Sequence, residues 1–182
     1  MKQLLDQSAA MFNERVTIEL KVNGKTLSES AEPRMLLSDF LRHNLGFTGV
    51  HVGCEHGVCG ACTVLLDNQP VRSCLMFAVQ ACHHEITTIE GLATGNEMHA
   101  VQSAFRKHHG LQCGFCTPGM VLTAVDLIRR VPDLNEEDVR EGMSGNLCRC
   151  TGYDGIVRAV LNAADDLKSQ PQRQVSQTEG RS

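Results

Sequence analysis

Apolar and polar residues alternate near the start of the chain: Val16, Ile18, Leu20 and Val22 are separated by Thr17, Glu19 and Lys21. A period of two is the pattern of a strand with one buried face. Asn23-Gly24 follows, a pair that accepts the positive φ angles of a tight turn, and predicts a hairpin. The period then changes. After Pro33, read as a first-turn residue, Leu36, Leu37, Phe40, Leu41 and Leu45 recur at steps of three and four until Gly46, which predicts a helix packed on the hairpin. Residues 63–66, the Asp67-Asn68 turn and Val71 predict a second hairpin, and residues 86–89 a last strand before Gly91. These elements make a small mixed sheet around one helix.

From Asn96 onward the pattern is helical. Met98, Val101 and Phe105 share a face that ends at Gly110, and Val121, Ala124, Val125 and Ile128 share another behind Thr117-Pro118, a cap followed by proline. Arg129, Arg130 and Pro132 close that helix. Asn135 with Glu136, Glu137 and Asp138 starts a third, and Asp154 caps a fourth that carries Val157, Val160, Leu161 and Ala164. The fold class is therefore α+β, with a sheet domain at 15–92 and an all-α four-helix bundle at 93–168. An N-terminal extension, 1–14, precedes them, and a Gln/Ser-rich tail, 169–182, is expected to be flexible.

Composition narrows the function. The 182 residues carry 17 Lys plus Arg against 21 Asp plus Glu, a net charge of −4, with no basic block, so neither nucleic acid nor an anionic membrane is an expected partner. No segment has transmembrane length, and residues 1–14 lack an export signal, which makes the cytoplasm the expected location. Nine cysteines in an unexported chain, several of them closely spaced, read as metal ligands rather than disulfides.

Their spacing is informative. Cys54, Cys59 and Cys62 form C-x4-C-x2-C, and Cys74 follows after eleven residues, the plant-type arrangement for a 2Fe-2S cluster. Gly53, Gly57 and Gly60 let the backbone approach closely and aim N–H groups at sulfur. A zinc ion held by the four thiolates is the alternative. Four more thiols lie in the helical half, Cys113 with Cys116 and, thirty-one residues on, Cys148 with Cys150. Both pairs adjoin expected helix starts, whose partial positive charge suits an anionic cluster. Structural zinc stays open here too.

Residues 53–62 with Cys74, then Gln112-Cys113-Gly114-Phe115-Cys116-Thr117-Pro118-Gly119 and Gly145-Asn146-Leu147-Cys148-Arg149-Cys150-Thr151-Gly152-Tyr153, resemble the small iron–sulfur subunit of the molybdenum hydroxylases, the xanthine dehydrogenase, aldehyde oxidoreductase and carbon monoxide dehydrogenase family. The resemblance spans roughly residues 15–167. It implies a β-grasp, plant-type ferredoxin-like domain followed by the helical domain, each holding one 2Fe-2S cluster, and no catalytic residue of its own. By the same similarity Gln112 contacts the pterin of a molybdenum cofactor in a large subunit, and the ferredoxin-like cluster faces FAD in a medium subunit, within a heterotrimer that dimerises. Electrons would pass from molybdenum through both clusters to flavin. A free-standing two-cluster ferredoxin and a zinc-stabilised interaction module are the rival readings.

Other residues carry less. Cys82 beside His83 and His84 lacks the second half of a Rieske motif and reads as a structural thiol. His56 reads as an exposed loop residue that can also reach sulfur, His99, His108 and His109 as solvent-side helix residues, and Arg149 as a counter-charge to a cluster or a partner contact.

Overall fold

The computed structural model of the chain describes residues 14–169. The expected extension and tail thus lie, but for Glu14 and Ser169, outside the described residues.

Both hairpins form as the turn chemistry requires. Strands β1 (Val16–Val22) and β2 (Lys25–Ala31) pair antiparallel with Val22 opposite Lys25, leaving two turn residues, Asn23 at φ 51° and Gly24 at φ 79°. Ile18, Leu20 and Val22 are buried, as the alternation predicts. Strands β3 (Thr63–Leu66) and β4 (Gln69–Arg72) are joined in the same way, with Asp67 and Asn68 both at positive φ. Such two-residue turns match the twist of paired strands. Strand β5 (Glu85–Thr87) inserts between the hairpins, parallel to β1 and antiparallel to β3, which gives the order β2-β1-β5-β3-β4.

Two expectations need correction. The last strand stops at Thr87 rather than 89, because buried Thr88 turns to Asn23: its N–H donates to Asn23 Oδ1 and its hydroxyl accepts from Asn23 Nδ2, each at 2.9 Å. The first helix does not begin at Pro33. Leu36 is extended and bridges to Phe77, with Leu37 N donating to the Met76 carbonyl and Ala78 N to the Met35 carbonyl. Helix α1 (Leu37–Asp39) starts only after this bridge and runs into a wider π-helical turn, Phe40–Asn44. That turn buries Phe40 and Leu41 together against the sheet.

Four helices follow among the described residues: α2 (Ala100–Lys107), α3 (Thr117–Arg130), α4 (Glu136–Gly142) and α5 (Asp154–Ser169). They enclose a second core built on Phe105, Met120, Leu127, Ile156 and Val160. Asn135 caps α4 through its side chain, accepting from Glu137 and Asp138 N–H. His99, expected on the solvent side, instead caps α2: its Nδ1 accepts from Val101 N–H at 3.2 Å, and burial lowers its pKa. Thr117 is not the cap of α3. Cys116 occupies that position, in a helical conformation and with its thiol buried, and Thr117 is the first helical residue. Asp154 likewise lies inside α5, paired with Arg158.

Helix α3 joins the two halves, packing against β3 and β4. The side chain of Asp126 on it is fully buried and bound by Arg129 and Arg130, each at 2.7 Å, a pairing that a buried carboxylate requires. Arg129 also reaches the Asn68 carbonyl in the second hairpin turn.

Candidate iron–sulfur sites

The first loop, residues 53–62, is wound so that backbone donors face sulfur. Cys54 Sγ accepts from the N–H groups of His56 and Cys59, both at 3.4 Å. The coil depends on positive φ at Glu55, Gly57 and Gly60. Cys62 and Cys74 are buried, Cys54 and Cys59 half-buried, and Cys54, Cys59 and Cys74 each feel at least one other thiol of the set. Backbone donors hold Cys54 down to about 6, while burial pushes Cys74 up to about 11 and raises Cys59. The backbone of His56, not its ring, supplies the contact to sulfur; the ring donates to the Cys54 carbonyl.

At the second group, Cys113 Sγ and Cys150 Sγ are 3.4 Å apart, and Cys116 and Cys148 interact side chain to side chain. Burial drives Cys116 up to about 12. Cys148 also feels burial, which raises its pKa, but the Thr151 hydroxyl and the N–H groups of Thr151 and Cys150 more than offset it, so the thiol is lowered. Those three donors lie 3.1, 3.4 and 3.4 Å from its sulfur. Thr117 Oγ1, next in sequence to Cys116, is buried without a partner among the described residues. N–H and O–H groups convergent on thiolates fit an iron–sulfur core.

The two groups touch through backbone. Leu147 N donates to the Cys59 carbonyl at 2.9 Å. Asn146, 1% exposed, donates from Nδ2 to the Gly60 carbonyl at 3.1 Å and accepts from Thr123 Oγ1 at 3.1 Å. A Cβ on Gly119 would stand 2.2 Å from the Gly60 carbonyl oxygen, and one on Gly60 2.6 Å from that of Gly145. Neither side chain could be accommodated without moving backbone. Arg72 Nη2 donates to the Gly145 carbonyl at 2.7 Å, and His51 stacks on Phe115 at 4.8 Å while Nδ1 donates to the Phe115 carbonyl at 2.6 Å.

Two family models match the chain, one described as "2Fe-2S iron-sulfur cluster binding domain" over residues 20–89 and one as "[2Fe-2S] binding domain" over 88–161. Caffeine dehydrogenase subunit gamma of Pseudomonas sp. (strain CBB1) is 51% identical over 150 residues, 81% of this chain and 90% of that protein. The nicotine 6-hydroxylase small subunit of Paenarthrobacter nicotinovorans is 48% identical, over 85% of this chain and 93% of that one. A crystal structure of quinoline 2-oxidoreductase from Pseudomonas putida 86 superposes with a TM-score of 0.83 at 48% identity, covering 86% of this chain and 98% of that one. The chain belongs to the small iron–sulfur subunits of the molybdenum hydroxylases. As a small subunit it is the electron-transfer component of an oxidoreductase, and the free-standing ferredoxin is not favoured. Among the described residues no helix is long and apolar enough to cross a membrane.

Other residues singled out in the sequence fall around this small-subunit frame. Gln112 is exposed and lines a cleft with Lys107, His109, Thr151 and Arg158. Arg149 is exposed between Cys148 and Cys150, and His108 bonds Asn162. Cys82 is half-buried against the first core, apart from both thiol groups. Sequence reasoning missed Asn146, Thr151, Arg72 and His51. Asn146 and Thr151 stand within the quoted motif, but nothing in their spacing marks what they bind.

Proposed function

We propose that Cys54, Cys59, Cys62 and Cys74 ligate one 2Fe-2S cluster, that Cys113, Cys116, Cys148 and Cys150 ligate a second, and that the chain carries electrons between two partner subunits. On this reading it comprises a β-grasp domain at 15–92 and a four-helix bundle at 93–168. The partners are a large subunit with a molybdenum cofactor and a medium subunit with FAD, in a heterotrimer that dimerises. When bound, each cluster takes up and releases one electron. The chain's own residues hold the two sites in series. The hydrogen bond from Leu147 N to the Cys59 carbonyl carries this reading most directly, because it joins a proposed ligand of the first site to the residue preceding a ligand of the second.

Gln112, adjacent to Cys113 and exposed in its cleft, is assigned to the pterin of the large subunit's cofactor. Its amide both donates and accepts. Gln112→Leu is expected to leave iron content and both EPR signals of the isolated subunit unchanged, while the assembled enzyme loses molybdenum cofactor or is reduced more slowly by substrate in rapid mixing. Loss of one buried hydrogen bond costs about 1–3 kcal/mol, a rate or affinity change of roughly 5- to 150-fold. Wild-type kinetics and molybdenum content in that variant would remove the assignment.

A further inference from the structure

We infer that the Thr151 hydroxyl is the residue that sets the reduction potential of the second site, acting through Cys148 and held in place by Tyr153. The inference rests on the proposed ligation by Cys148. Residues 148–153 close on themselves through three hydrogen bonds. The Thr151 hydroxyl donates to Cys148 Sγ at 3.1 Å. The Tyr153 N–H donates to Thr151 Oγ1 at 3.2 Å. The Cys148 N–H donates to the Tyr153 phenolic oxygen at 2.8 Å.

This ring fixes the direction of the Thr151 proton. A hydroxyl has one hydrogen and can rotate to suit its neighbours, but here an N–H already occupies an acceptor position on the oxygen, so the hydrogen is left for sulfur. Tyr153, the only tyrosine of the chain, is itself locked at φ 71° where α5 begins. At the first site the donors on Cys54 are backbone N–H groups, of His56 and Cys59, which no side-chain substitution can delete. Thr151 is therefore a contact that can be changed by one side chain.

The physical effect has a definite sign. One-electron reduction makes an iron–sulfur core and its thiolates more negative, and a hydrogen bond to thiolate sulfur stabilises the more negative state. Deleting the bond must lower the potential. A threonine side chain of the same shape without the hydroxyl is valine, so Thr151→Val removes the donor with little change of volume, and Thr151→Ser restores it.

The test is a redox titration of the purified subunit with dithionite and mediator dyes, followed by EPR. Thr151→Val is expected to keep full iron content and both signals, to leave the first site's midpoint unchanged, and to lower the second site's midpoint by the equivalent of about a tenfold weaker reduction, about 59 mV for one electron. Thr151→Ser is expected to titrate like wild type. An unchanged second midpoint in Thr151→Val, or an equal shift at both sites, would overturn the inference. Should Thr151→Val fail to retain iron, Tyr153→Phe gives a second reading, since it releases the Cys148 N–H and loosens the ring while keeping the Thr151 hydroxyl: a lowered second midpoint supports the ring, an unchanged one counts against it. Cys148→Ser separates this from the ligand assignment. If it retains a wild-type second signal, the ligation is wrong; if it loses the signal while Thr151→Val titrates as wild type, only the role of Thr151 fails.

Discussion

The backbone N–H of Leu147 lies 2.9 Å from the carbonyl oxygen of Cys59. One of these residues belongs to a loop that follows the first helix and the other to a loop 88 positions further along the chain, yet a single hydrogen bond spans them. Asn146 and Gly119 lock the same junction from two sides, the first by its amide on the Gly60 carbonyl and the second by having no side chain. The separation of the two thiol groups is therefore set by backbone, which moves less than side chains do.

Each set of four thiols converges separately, so single ligand losses should act separately. Cys74→Ser is expected to remove one of two reduced-state EPR signals and Cys116→Ser the other, with iron falling from about four to about two per chain. Loss of both signals in either variant would show that the junction makes the two loops fold as one unit.

Asn146 is buried with both ends of its amide bonded, to Gly60 and Thr123. Asn146→Ala removes two buried hydrogen bonds, each worth about 0.5–1.5 kcal/mol net, although the Gly60 carbonyl keeps the Thr63 N–H and hydroxyl as donors. The thermal midpoint of the variant, measured with iron content held equal, should fall by several degrees. A midpoint within a degree of wild type would mean that water replaces the amide at no cost.

Gly119 sets two effects against each other. Alanine in a helix is favoured over glycine by about 1 kcal/mol, but here its Cβ would stand 2.2 Å from the Gly60 carbonyl oxygen, and overpacking costs about 1–3 kcal/mol or more. The obstacle is backbone rather than a flexible side chain, so the clash should win. Denaturation of Gly119→Ala should show net destabilisation; a stabilised variant would mean that α3 can slide off the first loop.

Thiol reactivity in the iron-free chain should follow environment. Only thiolate is alkylated. Cys54, held down to about 6 by backbone donors, is mainly thiolate at pH 7, whereas burial holds Cys74 at about 11 and Cys116 at about 12 as protonated thiols. Brief iodoacetamide treatment at pH 7 followed by peptide mass spectrometry should label Cys54 well ahead of Cys74 and Cys116. Lowering the pH through 6 should suppress the Cys54 label as the thiolate is protonated, and raising it to 8 should leave the two buried thiols slow.

Local chemistry was legible in the sequence wherever neighbours along the chain decide the outcome. Asn23-Gly24 and Asp67-Asn68 specify two-residue turns because those residues accept positive φ, Asn135 caps α4 because its side chain reaches N–H groups two and three residues on, and short cysteine spacings gather thiols because a loop of a few residues cannot carry them apart. Legibility failed where a distant segment competes. Thr88 leaves the strand to bond Asn23, Leu36 is held extended by Phe77, and Cys116 displaces Thr117 as cap because its thiol must turn inward. The insertion of β5 between the hairpins, the Asn146 amide on Gly60, and the meeting of Leu147 with Cys59 depend on which faces of separate segments come together. Such contacts leave no period or spacing in the chain, since burial of the two cores, not proximity in sequence, brings their partners within hydrogen-bonding distance.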